Sequence, residues 1–245
     1  MISRFFCPPP LPELLEYELP AAVAHHADRV LRLRPGDPLV LFDGAGGEVP
    51  ATLVSLGKKA SARLDTRQPI ERESVLRFTL VQALASSDKM DLIIQKAVEL
   101  GAVGVIPLAA ERSILRLNAE RAGKRLAHWR QVLVSACEQC GRNRLPVISG
   151  VLSLDDYLDT RAGDVARLVL APGDTEGDRE RLCDLPRPSG EVHVLVGPEG
   201  GWSEREMAAM LRSGCRPVIL GPRILRTETA GLAALAAAQA LWGDF

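Results

Sequence analysis

Two apolar segments late in the chain each lead into a loop rich in glycine and proline and then into a helical pattern. Residues 192–196 precede the loop 197–202, and residues 218–220 precede the loop that begins at Gly221. Glycine at a strand-to-helix junction lets the backbone approach a ligand closely. A tight turn without a ligand would use the same residues. Two such loops favour one shared binding site, with two purely structural turns as the alternative.

The residues inside the loops restrict the ligand. The first loop has neither the Walker A pattern nor the dinucleotide pattern, and Glu199 within it would repel a phosphate group. An uncharged or cationic ligand held by backbone groups fits better. The second loop brings Arg226, Thr227 and Glu228 to the start of an apolar helix. An N-cap role for Thr227 and an ion pair between Arg226 and Glu228 are the structural alternatives.

The spacing of apolar residues predicts two domains, residues 1–72 and 73–245. In the first, short apolar runs separated by turn residues predict a small β-barrel with one helix over residues 21–33. In the second, apolar strands alternate with helices from a predicted strand at 75–84 onward, which indicates an α/β domain with a mainly parallel sheet. Asp88 and Asp91 are predicted to cap the helix that follows that strand. Ligands of such sheets bind at the carboxyl ends of the strands, where both glycine loops lie.

Composition excludes several functional classes. The longest apolar-rich run, residues 231–242, is too short to span a bilayer, so no membrane partner is predicted. Five scattered cysteines fit a reducing cytoplasm better than a disulfide framework. Cys137 and Cys140 have the spacing of a metal-binding pair, but neither a second pair nor a suitably spaced histidine accompanies them. No metal is therefore predicted.

Charge is unevenly distributed along a chain whose net charge is −1. Residues 112–144 contain eight arginines and lysines, against only Glu120 and Glu138. This excess could serve contacts with nucleic-acid phosphates, with a solvated helix face as the alternative.

Five segments together resemble one family. They are Asp88 to Gly101 (DKMDLIIQKAVELG), Glu111 to Ser113 (ERS), Glu138 to Arg142 (EQCGR), Gly197 to Trp202 (GPEGGW) and Leu220 to Ala230 (LGPRILRTETA). In order and spacing they are similar to the bacterial 16S ribosomal RNA uridine N3-methyltransferases, the ribosomal small subunit methyltransferase E family of the SPOUT class. The family often has Lys-Gly before the Asp-Lys of the first segment, where this chain has Ser86-Ser87.

The resemblance implies a fold and a cofactor. The amino-terminal domain would be a PUA-like RNA-binding β-barrel, the second domain would form a SPOUT-type trefoil knot, and the protein would be a homodimer. Both glycine loops would bind S-adenosyl-L-methionine (AdoMet), leaving S-adenosyl-L-homocysteine as product. The implied cofactor residues are Leu195, Val196, Gly197, Pro198, Glu199, Gly200, Gly201, Ile219, Leu220, Gly221, Ile224, Leu225, Arg226 and Thr227. A bulky residue at Gly200 is predicted to abolish AdoMet binding.

The implied reaction is methylation of N3 of a specific uridine in 16S rRNA of the 30S subunit. Arg226 is the candidate for holding the anionic base or a phosphate, and Glu199 and Glu228 are candidates for accepting the N3 proton. Candidate RNA contacts are Arg4, Arg112, Arg142 and Arg144. The alternatives are a SPOUT methyltransferase that acts on tRNA or on a 2′-hydroxyl, and a ribosome-assembly factor without catalysis.

Overall fold

The computed structural model describes residues 2–57, 59–160, 165–171 and 180–245. The chain divides into two compact units. The first is Met1–Glu73 with Val134–Leu145, and the second is Ser74–Leu133 with Pro146–Phe245. The domain boundary that we predict at residue 72 lies next to Glu73, where the first segment of this unit ends. The sequence pattern does not predict that Val134–Leu145 belongs to the same unit. The assignment of two domains remains a prediction.

The first unit is built on a five-stranded sheet in the order β1-β3-β4-β5-β2. Strands β1 and β3 pair in parallel, and the other neighbours pair antiparallel. Along β4, Val49, Ala51 and Leu53 alternate with more exposed residues, so one face of the strand enters the core. The elements are β1 Ser3–Phe6, β2 Glu16–Glu18, α1 Ala21–His25, a π-helix His26–Val30, β3 Pro38–Phe42, β4 Val49–Ser55 and β5 Ser61–Leu64.

One helix prediction in this unit is wrong in its details. The helical stretch begins at Ala21 as predicted, but it becomes a π-helix at His26 and ends at Val30 rather than at residue 33. The backbone N–H of Leu31 donates to the carbonyl of His26, five residues back. The apolar spacing at 21–33 is compatible with either helix type, so it could not reveal the change.

The second unit contains an eight-stranded sheet in which every observed pairing is parallel. The order is β11-β13-β10-β12-β6-β7-β8, with β9 also paired to β7. Its elements are β6 Phe78–Ala83, α2 Ser87–Glu99, β7 Gly104–Ala109, the first part of α3 Ala119–Cys140, β8 Val147–Ile148, β9 Leu152–Ser153, α4 Leu154–Asp159, β10 Val165–Leu170, β11 Glu180–Arg181, a 3-10 turn Leu182–Asp184, β12 Glu191–Val196, α5 Glu204–Arg212, β13 Arg216–Ile219 and α6 Thr227–Trp242. From Val134 onward, α3 belongs to the first unit.

Burial explains why the central strands are nearly continuous apolar runs. All six residues of β6 are buried, as expected for a parallel strand covered on both faces. The predicted strand at 75–84 is shorter than expected, because only residues 78–83 pair with neighbours.

Helix α6 lies very close to the sheet: a Cβ at Gly231 would be 2.9 Å from Leu80 Cδ1 and 3.2 Å from Val196 Cγ2. This approach requires glycine at position 231.

Strand order brings the two glycine loops to one edge of the sheet. Strand β10 lies between β12 and β13, and both neighbours are parallel to it. The carboxyl ends of β12 and β13 therefore face the same side, and the loops that begin at Gly197 and near Gly221 leave the sheet on either side of Ala171.

Candidate active site

A cavity of about 660 Å³ lies between the two glycine loops. Its volume is within the usual range for a small-molecule site. All of the predicted cofactor residues line it except Leu195 and Gly200, and Glu228 lines it as well. Leu195 lies in the core of the sheet instead. The structure therefore brings Glu199, Arg226 and Glu228 together around one space.

Thr227 joins the two loops through its side chain. Its hydroxyl donates a 2.6 Å hydrogen bond to the carbonyl of Gly197 and accepts a 3.0 Å bond from the Gln82 side chain. The predicted N-cap role of Thr227 is wrong, because the N-cap of α6 is Arg226 and no side chain caps that helix. The hydroxyl of this buried threonine instead donates to a carbonyl of the first glycine loop.

Lys89 links both candidate acidic residues. Its Nζ lies 3.2 Å from Glu199 Oε1 and 3.1 Å from Glu228 Oε2. Both carboxylates raise the pKa of Lys89, that of Glu228 more strongly. The backbone N–H of Glu228, and then Lys89, hold the pKa of the Glu228 carboxyl below its usual range. The proposed ion pair between Arg226 and Glu228 is therefore wrong, since Lys89 is the cation that contacts Glu228.

Sequence reasoning did not select Lys89, although one signal was present. Helix α2 buries Met90, Ile93, Ile94 and Ala97, and Lys89 stands in its first turn among these apolar positions. It also lies inside a segment that resembles the methyltransferase family. Nothing in the sequence indicated that it would meet carboxylates 110 and 139 residues further along the chain.

Trp202 closes one side of the cavity. Its side chain is buried, and its Nε1 has no hydrogen-bond partner among the described residues. A Cβ at Gly197 would be 3.2 Å from that Nε1, so a larger residue there would displace the indole ring by a few tenths of an ångström. An unpartnered buried donor beside a cavity is an available contact for a polar ligand.

Gly200 faces away from the cavity. A Cβ at this position would meet Arg112 Cβ at 3.0 Å. The Arg112 guanidinium donates to the carbonyls of Gly200 and Trp202, at 3.2 and 3.3 Å. Arg112 therefore supports the first glycine loop from outside, which is a different role from the predicted contact with RNA.

Two arginines at the cavity remain available to a ligand. Arg223 and Arg226 are exposed and line the cavity. Neither forms an ion pair with any carboxylate among the described residues. An unpaired guanidinium beside a cavity can bind an anionic group at little desolvation cost.

The remaining predicted RNA contacts lie in the first unit and are engaged within it. Arg4 pairs with Glu48 at 2.6 Å, with 12 % of its side chain exposed, and Arg142 pairs with Glu73, with 4 % exposed. Their burial favours a structural role over contact with RNA. Arg144 is more accessible and pairs with Glu71 at 3.0 Å. The RNA role of these arginines remains a prediction.

Other predictions from the sequence have clear structural outcomes. The spacing of Ser203 and Glu206 in the sequence predicts a capping box, and the side chain of Ser203 does accept from the backbone of Glu206. Asp91 does not cap α2, because it bonds His128 at 2.8 Å, and the N-cap is Ser86. Burial raises the pKa of the Cys137 thiol to about 12. In the part of the chain that the structure describes, no group of three or more histidine, cysteine or acidic side chains is arranged to hold a metal.

Comparison with protein families identifies this architecture. Residues 72–239 match the model of an RNA methyltransferase domain, and residues 19–62 match the model of an RNA methyltransferase PUA domain. This chain belongs to the RNA methyltransferase family. The fold prediction is confirmed: the RNA methyltransferase has a PUA-like amino-terminal domain and a SPOUT-type α/β domain with a parallel sheet. The trefoil knot is what the family resemblance implies.

Individual relatives of this RNA methyltransferase agree with the family match. A crystal structure of ribosomal RNA small subunit methyltransferase E from Neisseria gonorrhoeae bound to S-adenosyl methionine is 40 % identical, with a TM-score of 0.92 and 100 % of both chains covered. The Bacillus subtilis protein of the same name is 34 % identical over 87 % of this chain and 85 % of its own. The Mycobacterium tuberculosis protein is 36 % identical over 88 % and 83 %.

Proposed function

We propose that this RNA methyltransferase transfers a methyl group from AdoMet to N3 of a uridine in 16S rRNA of the small ribosomal subunit. The observation that carries the proposal is the cavity between the two glycine loops, in a chain whose relatives are small subunit methyltransferases. The Neisseria gonorrhoeae relative binds S-adenosyl methionine, and its fold is nearly superimposable on this one.

The cavity fits AdoMet in both chemistry and size. Glu199 and Glu228 bring negative charge to its lining, which favours a ligand with a sulfonium and an amino group over a phosphate. Unpartnered Trp202 Nε1 offers a hydrogen-bond donor, and the backbone of residues 197–201 and 219–225 offers further polar groups. Leu170, Val218 and Leu225 supply apolar contacts.

Bound AdoMet supplies an electrophilic methyl group on a sulfonium, and the protein must present the acceptor nitrogen to it. The target uridine must be unpaired or rotated out of its helix to enter the cavity. The chain contributes alignment, because the hydrogen bond from Thr227 to Gly197 fixes one loop against the other. A rigid cavity holds the acceptor nitrogen in line with the methyl group, so the protein does not have to become ordered again at each turnover.

Arg226 is our candidate for the charge that develops on the base. Uracil N3 loses its proton during methylation, and negative charge spreads to the two carbonyl oxygens of the base. The exposed, unpaired Arg226 guanidinium at the start of α6 can stabilise that charge. Removing the proton is assigned to Glu199 or Glu228, both of which contact Lys89. A lowered pKa makes Glu228 a weak base. We therefore assign the larger share of the rate enhancement to Arg226, which stabilises the negative charge on the base.

Methyl transfer to defined RNAs tests the proposal. The purified protein is incubated with radiolabelled AdoMet and, in separate reactions, 30S subunits, protein-free 16S rRNA and tRNA. We expect label in 16S rRNA. Label in tRNA alone would assign the chain to another branch of its class, and no label in any RNA would favour an assembly factor without catalysis.

We further propose that the protein is a cytoplasmic homodimer. Ile224, Leu241 and Phe245 are large apolar residues exposed in the carboxy-terminal part, at 72 %, 45 % and 66 %. Covering them in a dimer would remove apolar surface from water. Light scattering should give twice the 26.5 kDa chain mass, and a monomeric mass would contradict this part of the proposal. In the described residues no helix is long and apolar enough to cross a membrane.

A further inference from the structure

A second cavity of the α/β unit carries a strong positive charge. It measures about 500 Å³ and is lined by Leu115, Arg116, Leu117, Arg121, Lys124, Arg125 and His128. Four of these side chains are cationic at neutral pH, and none is a carboxylate. We call this cavity the basic groove. It is separate from the cofactor cavity, since the two have no lining residue in common.

Helix α3 creates the groove by its periodicity. Arg121, Arg125 and His128 follow one another at intervals of four and three residues, so they stand on one face of the helix. Lys124 lies beside them, three residues after Arg121. The groove is at the amino-terminal end of α3, where Asn118 accepts a bond from the Arg121 backbone at 2.9 Å and the helix dipole adds positive potential.

Much of this charge is uncompensated. Among the described residues, neither Arg116 nor Arg121 forms an ion pair, although both are exposed. Arg125 donates to a neutral partner, the Ser87 hydroxyl. Lys124 pairs with Glu120, but 77 % and 74 % of the two side chains are exposed, so the pair is weak. The groove therefore presents free guanidinium groups to an anionic ligand.

The first turns of α2 connect the groove to the cofactor cavity. Ser87 bonds Arg125 at the groove, whereas Lys89, two residues later, lines the cofactor cavity. Asp91, a further two residues along, bonds His128. Each residue of a helix advances about 1.5 Å, so the same short stretch of α2 borders both sites. A single strand of RNA that enters the cofactor cavity can run along the groove.

We propose that the basic groove binds phosphodiester groups of the RNA substrate next to the nucleotide that is methylated. The inference rests on the proposed function and deepens it, because it says how RNA is held outside the cofactor cavity. Arginine matches the geometry of phosphate oxygens and remains charged at every relevant pH. The groove also replaces Arg4 and Arg142, which are buried in ion pairs, as the principal candidate for contact with RNA.

The test is the double variant R116A/R121A, compared with R187A/R212A. The control removes two exposed arginines that have no ion pair among the described residues and that lie outside both cavities. Binding to 16S rRNA is measured by filter retention across a salt series without cofactor, AdoMet affinity is measured by calorimetry, and KM and kcat are measured with 30S subunits. Thermal unfolding checks that both variants remain folded.

We expect R116A/R121A to weaken rRNA binding and raise KM for the RNA by about tenfold or more, with AdoMet affinity and kcat nearly unchanged. Loss of two phosphate contacts should reduce the slope of log affinity against log salt by about two. R116K/R121K should recover most of the affinity. Equal effects of R187A/R212A, or an unchanged salt slope in R116A/R121A, would overturn the inference. If wild-type protein binds rRNA through the groove but methylates none, the proposed function fails and the groove assignment stands.

Discussion

The Thr227 hydroxyl donates a 2.6 Å hydrogen bond to the carbonyl oxygen of Gly197, 30 residues earlier in the chain. The bond ties the first turn of α6 to the end of β12, so the two glycine loops are held as one site. The same hydroxyl accepts a bond from Gln82, a buried residue of β6. Three segments of the α/β domain thus meet at one oxygen atom.

Replacing Thr227 by valine should test this junction. The change keeps the side-chain shape but leaves the Gly197 carbonyl and the Gln82 amide without their partner. We expect the free energy of unfolding to fall by about 1–3 kcal/mol and AdoMet affinity to fall with it, because the loops are no longer held in place. Thr227→Ser retains the hydroxyl and should restore most of both quantities. Urea unfolding and calorimetry measure them, and a valine variant with unchanged AdoMet affinity would contradict the proposed role of the bond.

Arg226→Ala should separate catalysis from cofactor binding. Its guanidinium is proposed to act on charge that develops during methyl transfer, so we expect kcat to fall by about 100-fold and AdoMet affinity to change by no more than about threefold. Arg212→Ala removes an exposed arginine of α5 outside the cavity and serves as the control. Single-turnover methyl transfer is the measurement, and normal turnover in R226A would refute the assignment.

Gly197 and Gly200 should respond differently to the same substitution. A Cβ at Gly197 would approach Trp202 Nε1 at the cavity wall, so Gly197→Ala should weaken AdoMet binding by at least tenfold. Gly200 faces Arg112 instead, so Gly200→Ala should affect binding less. This order differs from the expectation drawn from the sequence, that a bulky residue at Gly200 abolishes AdoMet binding. Gly150→Ala, where a Cβ would meet nothing within 4 Å, is the control for calorimetry. Equal losses at 197 and 200 would contradict the geometry.

Lys89→Gln should alter the pH dependence. The Glu228 backbone N–H and Lys89 lower the pKa of the Glu228 carboxyl, so the ionised form persists below the ordinary glutamate value of about 4.3. A carboxyl whose pKa is lower in the folded than in the unfolded protein stabilises the fold at pH values above its unfolded-state pKa. That contribution to the free energy of unfolding is lost as the pH falls through the folded-state pKa. Removing Lys89 should raise the Glu228 pKa and move the acid limb of kcat/KM to higher pH.

The control for that experiment is Lys89→Arg, which keeps the positive charge and should leave the acid limb near its wild-type position. Profiles are recorded as kcat/KM against pH at saturating AdoMet. An identical acid limb in K89Q and wild type would show that the ion pairs with Glu199 and Glu228 do not control ionisation in the site.

The local pattern of apolar, glycine and proline residues predicted where most helices and strands lie. It did not predict which side chains contact each other across the fold. Helix α6 spans Thr227–Trp242 as its sequence predicts, and the loop after β12 follows from three glycines and a proline. The ion-pair partners of Arg4 and Arg142 could not be predicted from local pattern, because these partners lie 44 and 69 residues away in the chain. The direction in which Gly200 faces is likewise decided by tertiary packing. The periodicity of apolar residues does not depend on whether the chain passes through a loop of itself. The trefoil knot is therefore predicted by the family resemblance alone.

The identity of the methylated nucleoside distinguishes methylation of uridine N3 from methylation at any other position. The 16S rRNA from 30S subunits incubated with the protein and isotopically labelled AdoMet is digested to nucleosides and analysed by mass spectrometry against standards. Methylation of uridine N3 predicts that the label appears in 3-methyluridine and that R226A reduces it strongly. Label in a 2′-O-methylated nucleoside or in a base other than uracil, with none in 3-methyluridine, would contradict it.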